Sequence, residues 1–334
     1  MQFAFFLAAA VLYACGVLFC NLAREDANLI HITLLRGVDA AAAEEIFSRE
    51  LEEEDPVGFC FWGERTQQTV SCEETGAFSQ VTQVLLSGNP ELMGAGCLAW
   101  QNGCLIDRET AQALFGTVHC GGQTLWHNGM PYPVLGTVSA LRPTMLILAG
   151  EGDGAVLSRC VLSGPAEKGN VVGEPFLMRW SLQGTVVDFF PVWALTNNLL
   201  LLFPGILLLA AMCRMKKRWS KLSFSEVLSG RQVMVLVKRL FVLALATGLL
   251  CLLGSRLIIP QNMIPSRWSD FSFWGNWWEG QRENLLNILF LPVDNRQLQM
   301  LLNMVKSMGN SIASGLLALW AVRRRSNADI ADRG

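Results

Sequence analysis

The chain has 334 residues, 51% of them hydrophobic and 16% charged, with a formal net charge of −2. That composition describes a membrane chain carrying a soluble insert, and it excludes a strongly basic nucleic-acid binder. Four apolar runs, Phe3–Cys20, Val192–Cys213, Leu240–Ile259 and Leu301–Val322, each come near the ~20 residues that a helix needs to cross ~30 Å of hydrocarbon.

The first run follows only Met1 and Gln2, with no Lys or Arg before it and no small-x-small site after it, so it reads as an uncleaved anchor rather than a signal peptide. Between positions 24 and 188 there are 21 acids against 9 bases, whereas 214–239 holds 8 bases and the single acid Glu226. That basic loop and the tail beginning Arg323, Arg324, Arg325 are placed in the cytoplasm by the positive-inside rule. The predicted fold is therefore a membrane protein of four transmembrane α-helices, with an α+β extracytoplasmic domain between the first and second spans. Its expected location is the cell (plasma) membrane, multi-pass, with both termini cytoplasmic. The expected domains are an anchor at 1–23, the extracytoplasmic domain at 24–190 and a three-span bundle at 191–334, which carries the basic loop 214–239 and a Trp-rich outer loop 260–300. The basic face suits anionic membrane lipid or an acidic partner, and no nucleic acid is expected.

Within the insert, Ala27–Leu35 (ANLIHITLL) predicts a strand, and Asp39 opens a helix through Ile46. Glu52–Pro56 reads as a solvated turn, because nothing in it supplies the spaced ligands of a calcium loop. Short strands follow around Phe59–Gly63, Thr69–Glu73 and Val81–Leu86, with turns at Gly76 and at Gly88-Asn89-Pro90. Cys104-Leu105-Ile106 is a strand, Asp107 a helix N-cap, Arg108–Phe115 a two-turn helix and Gly116 its left-handed end. After Gly121-Gly122, the stretches Gln123–Trp126 and Tyr132–Val138 pair as a hairpin across Asn128-Gly129.

The ten positions Asp107, Ala111, Leu114, Phe115, Gly116, Gly122, Tyr132, Val134, Gly136 and Val138 follow a strand, an Asp-x-x-x-Ala-x-x-Leu-Phe-Gly helix, a Gly-bearing loop and a Tyr-x-Val-x-Gly-Val hairpin. This pattern resembles the extracytoplasmic core domain of MacB-type ABC permeases, the family that includes FtsX-like proteins. The resemblance implies a permease-like subunit that couples a separate cytoplasmic ABC ATPase to motion of its outer domain, working as a homo- or heterodimer with a second permease subunit. The alternative reading is a non-transporting membrane receptor or regulatory protein that keeps the MacB-like ectodomain. In the basic loop, Phe224, Val227 and Leu228 fall at helical spacing between Lys221 and Arg231, the face expected to meet the ATPase. The chain has no Walker motif, Gly-x-Ser-x-Gly or His-Glu-x-x-His, so no catalytic residue or cofactor is expected and ATPase activity is assigned to another subunit.

Six cysteines fall in the insert: Cys60, Cys72, Cys97, Cys104, Cys120 and Cys160. By spacing, Cys60 with Cys72 and Cys97 with Cys104 could close short loops as disulfides, each contributing ~2–4 kcal/mol; buried reduced thiols are the alternative. No metal site is expected, since Cys-x-x-Cys is absent and His119-Cys120 with His127 lacks a fourth ligand. Trp268, Phe271, Phe273, Trp274, Trp277 and Trp278 suit a re-entrant or surface helix at the membrane interface, or a lateral platform for a lipid or hydrophobic peptide. In the fourth run Asn303, Lys306, Ser307, Asn310, Ser311 and Ser314 share one helical face. A lysine at mid-membrane costs ~2.5–3.5 kcal/mol, so this stripe is expected to face protein or water, either as a polar seam against a partner subunit or with Lys306 near the outer boundary and snorkelling out of the membrane.

Overall fold

A computed structural model describes residues 2–150, 154–164, 169–219, 244, 247–248, 251, 254–260, 263–265, 267, 271–291 and 294–331. The chain order begins α1 (Gln2–Ala27), β1 (Ile30–Asp39), α2 (Ala40–Glu50), β2 (Phe59–Ser71), β3 (Phe78–Gly88), β4 (Cys104–Asp107) and α3 (Arg108–Phe115). It continues with β5 (Thr124–His127), β6 (Met130–Val138), β7 (Thr144–Leu148), β8 (Val156–Leu162), α4 (Gly169–Arg179) and β9 (Gly184–Val187). The later helices are α5 (Phe190–Leu199), α6 (Leu202–Trp219), α7 (Phe271–Phe290) and α8 (Asn295–Ala331). Two units form: a sheet unit of Glu25–Phe190 with Gln261–Met300, and a helical unit of Met1–Arg24, Pro191–Pro260 and Leu301–Gly334. The Trp-bearing segment expected to belong to the three-span bundle thus folds with the sheet unit.

The sheet runs β3-β7-β4-β6-β5-β2-β8-β1-β9, and β3 also pairs with β2, closing six strands into a ring from which β8, β1 and β9 extend. β3–β7 and β4–β6 are parallel and the other pairs antiparallel. The two strand pieces expected at 59–63 and 69–73 are one strand, because a single-residue bulge between Arg65 and Gln68 carries the chain through its polar middle without breaking the β3 ladder. Gly63 sits where β2 meets β8; a Cβ there would lie 2.2 Å from the Val156 carbonyl oxygen, so only glycine lets the strands approach.

Both faces of β2 are buried at its start: Phe59 and Phe61 enter a large cluster with Ile32, Leu114 and Phe176, while Cys60 and Trp62 enter a smaller one with Leu86 and Leu98. This is why Phe59–Gly63 reads as a continuous apolar run rather than an alternation. Phe59 stacks edge-on to Phe47 and Phe61, tying α2 to the sheet. Asp39 caps α2, its carboxylate accepting from Ala42 N at 2.7 Å. At the other end of that helix the buried Glu50 accepts from Val57 N (3.0 Å), Arg179 Nη1 (2.8 Å) and Trp180 Nε1 (2.7 Å), so α4 is fastened to α2.

Two segments among the described residues are long and apolar enough to cross a membrane, Ala4–Ala27 and Phe190–Ala210. The second is interrupted between α5 and α6 at Leu200-Leu201, with Pro204 in the first turn of α6. Half of the third expected run, 240–259, lies outside the described residues, and the fourth is the middle of the 37-residue α8, whose Asn and Ser side chains dilute its apolar run. In the helical unit Asn198 donates to Ile258 O at 2.8 Å and accepts from Ile258 N at 3.0 Å, holding the 254–260 segment against the α5–α6 break.

Candidate functional site: a buried polar junction

Polar groups inside an apolar chain are expensive unless paired, so the buried ones mark where the sheet unit invests its specificity. His31 on β1, Arg159 on β8, and Asp294 and Gln297 at the start of α8 are 1, 9, 2 and 5% exposed. Asp294 is the N-cap of α8: its Oδ1 accepts from Gln297 N at 2.6 Å and its carbonyl from Leu298 N at 2.9 Å. Its other oxygen, Oδ2, meets Arg159 Nη1 at 3.4 Å, and the same Nη1 donates to Gln297 Oε1 at 3.0 Å. One guanidinium on the sheet therefore grips both the cap and the first turn of the helix.

Gln297 passes the network on to His31, its Nε2 lying 3.5 Å from His31 Nδ1, while His31 Nε2 is 2.9 Å from the Asp26 carbonyl. A carbonyl can only accept, so Nε2 carries the proton and Nδ1 accepts from the amide. Burial holds the His31 pKa below its ordinary value, which keeps the ring in this neutral tautomer. The ring stands edge-on to Phe189 at 5.0 Å. Arg296 completes the junction: Nε donates to Asp26 Oδ1 at 2.6 Å, and Nη1 donates to Leu92 O and Met93 Sδ, both at 2.9 Å. The last turn of α1, the first turn of α8, β1, β8 and the 90–93 turn are thus joined by one connected set of hydrogen bonds, charge-assisted at Arg159 and Arg296 and neutral at His31.

The residues of the sequence motif do a different job. Asp107 is 3% exposed, and its carboxylate accepts from Glu109 N (2.8 Å), Thr110 N (3.1 Å), the Thr110 hydroxyl and Thr144 N (2.7 Å), so it caps α3 and fastens that helix to β7. Ala111, Leu114 and Val134 are buried in the large cluster, and Phe115 and Tyr132 pack against it. Gly116 takes φ 70° as the cap of α3, and Gly136 lies 3.4 Å from Leu105 Cδ2 as a Cβ would be built. These motif residues cap and pack the elements of the sheet unit.

All ten cysteines are free, and the two pairs suggested by spacing do not form. The bulge in β2 inverts the alternation, so Cys60 faces the smaller cluster and Cys72 the larger; Cys97 is exposed on a turn while Cys104 is buried in β4.

In the helical unit the polar stripe divides. Ser307 donates to Gly16 O and Ser314 to Ala9 O, both at 2.8 Å, and Ser311 donates to Ser307 O. The seam therefore packs α8 against α1 within this chain. Asn303 is buried, Asn310 is half-buried, and Lys306 is exposed with its ammonium 5.4 Å from the centre of the Phe19 ring. Gly16 permits the close approach, since a Cβ there would lie 3.1 Å from Leu200 Cδ2 and 3.3 Å from Ser311 Oγ. Lys221, Phe224, Val227, Leu228 and Arg231 lie outside the described residues.

No family model matches the chain. No curated protein matches it either. Among solved structures it is similar to the extracellular domain of the noncanonic ABC-type transporter YknZ from Gram-positive bacteria, at 16% identity and a TM-score of 0.37, covering 48% of this chain and 100% of that one. It is also similar to the periplasmic region of MacB from Actinobacillus actinomycetemcomitans, at 9% identity and a TM-score of 0.38, covering 48% of this chain and 89% of that one.

Proposed function

We propose that this chain is the permease-like membrane subunit of a MacB-type ABC system, in which a separate cytoplasmic ATPase moves the sheet unit through the helices that end in it. The observation that carries the reading is the polar junction. Two continuous helices, α1 and α8, meet the sheet through Asp26, Asp294, Arg296 and Gln297; the bonds to Arg159 are buried and charge-assisted, and those to His31 are buried and neutral. A displacement of the α8 end must either carry β8 with it or break the buried Arg159–Asp294 pair, which costs about 3–5 kcal/mol. That stiffness suits transmission of force rather than binding of a small substrate.

In this reading the sheet unit lies outside the membrane, the basic loop 214–239 faces the cytoplasm, and the ATPase grips Phe224, Val227 and Leu228 with Lys221 and Arg231 flanking them. The test is co-purification of an ATPase with the full chain in detergent. Phe224→Ala and Leu228→Asp should release it, and Lys221→Ala should weaken it modestly and in a salt-dependent way. An unmodified chain that captures no ATPase, or one whose ATPase ignores Leu228→Asp, contradicts the coupled subunit and favours the receptor.

A further inference from the structure

Helix α7 has two unlike faces. On one, Trp278, Leu285 and Leu289 recur at helical spacing and are 67, 49 and 65% exposed. On the other, Asn284 bonds to the chain just beyond β9, accepting from Asp188 N at 3.0 Å and donating to Asp188 O at 2.7 Å. Beside that link lies an open hollow of about 250 Å³, lined by Asp188, Asn276, Trp277, Gln281, Glu283 and Asn287 among others.

The lining selects a class of ligand. Among the described residues it contains two carboxyl groups and no Lys, Arg or His, which disfavours phosphate and other anions. The amides of Asn276, Gln281 and Asn287 offer donors and acceptors alike. Trp277 Nε1 is buried without a hydrogen-bond partner, so it needs an acceptor, which a bare cation cannot supply. A group that both donates to carboxylates and accepts from an indole N–H is a hydroxyl, and several convergent hydroxyls are a sugar or polyol.

From this arrangement we propose that the hollow between α7 and the end of β9 binds a neutral polyhydroxylated group, the sugar head of a membrane glycolipid. The lipid source follows from the opposite face of α7, whose exposed Trp and Leu side chains are built to enter the headgroup boundary of a bilayer. This rests on the membrane placement given above and is independent of ATPase coupling.

The test uses the full chain reconstituted into phosphatidylcholine vesicles containing minor, equal shares of glucosyl-diacylglycerol and phosphatidylglycerol. The protein is extracted in a sugar-free detergent and its retained lipid is measured by mass spectrometry, with methyl glucoside as soluble competitor. The expected result is retention of the glycolipid over phosphatidylglycerol by about tenfold, reduced severalfold by Trp277→Phe, which keeps the ring and removes the N–H, and by Asn287→Leu. Thermal unfolding of each variant checks that it is folded. Methyl glucoside that binds without glycolipid enrichment, and is lost with the same variants, supports the polyol site and assigns it a soluble sugar. Preference for phosphatidylglycerol, absence of both enrichment and competition, or enrichment indifferent to both variants overturns the proposal.

Discussion

Arg296 and Asp26 stand 270 positions apart in sequence, yet Arg296 Nε donates to Asp26 Oδ1 at 2.6 Å, and the same guanidinium reaches Leu92 O through Nη1. The planar fork of arginine is what allows one side chain to hold a helix end and a turn together. Arg296→Lys keeps the charge and loses the fork, so it should destabilise the sheet unit by about 1–2 kcal/mol, read as a lower thermal midpoint of the full chain in detergent. An unchanged midpoint would mean that the pair contributes only screened charge.

Arg159→Ala removes the partner of a carboxylate that is 2% exposed and should cost about 3–5 kcal/mol. Pairing Arg159→Met with Asp294→Leu replaces both charges by apolar volume and should recover part of this, leaving about 1 kcal/mol for the lost cap on α8 and about 1 kcal/mol for Gln297 Oε1, which loses its Arg159 donor. Equal instability of the single and the double variant would contradict the pairing.

Asp188 lies outside the candidate spans, and burial pushes its carboxyl up to about 6 although Phe190 N donates to it. The folded state therefore holds this proton more tightly than the unfolded chain. The resulting stability is full below the unfolded value of 3.8 and is lost as pH rises through about 6. Asp188→Asn should raise the thermal midpoint above pH 6 and leave it unchanged in the acid range, as a series of melts across pH would record.

Among the six cysteines of the sheet unit only Cys97 is exposed, and burial raises the Cys60 and Cys104 thiols to about 12. Iodoacetamide on the native protein at neutral pH, followed by mass spectrometry, should label Cys97 and leave the other five unmodified until denaturant is added. Resistance of any pair to alkylation after unfolding without reductant would reveal a disulfide.

The close α1–α8 contact sets a steric prediction. Gly16→Leu forces a side chain against Leu200 and Ser311 and should destabilise the helical unit by about 1–3 kcal/mol, whereas Lys306→Ala, at an exposed position, should change it little. A tolerated Gly16→Leu would mean that the two helices are not held this closely.

Elements whose signals are local were legible in the sequence. Asp107, the two-turn helix and Gly116 each act within a few residues, as do Asn128 and Gly129, whose φ values of 50° and 77° suit the tight turn between β5 and β6. The bulge at 65–68 was not legible, because its cause is the ladder with β3 rather than the local sequence. β7 and β8 carry the plain apolar runs TMLIL and VLSRCVL, but their partners are set by tertiary pairing. The junction left only two hints: a histidine within ANLIHITLL and an arginine within VLSRCVL, polar residues inside strands buried on both faces. Nothing local announces that both answer to Asp294 and Gln297, more than a hundred residues later. The serines of α8 were legible as a stripe, but their acceptors on α1, the Ala9 and Gly16 carbonyls, were not.

The central claim is that motion passes through the polar junction, and hydrogen exchange on the full chain bound to its ATPase tests it most directly. ATP, compared with ADP, should change the protection of amides in β1 and β8 in the native complex, and the change should vanish in Arg159→Ala while the ATPase stays bound. ATP-independent exchange at β1 and β8 in the native complex, or an ATP-dependent change that survives Arg159→Ala, would contradict the account.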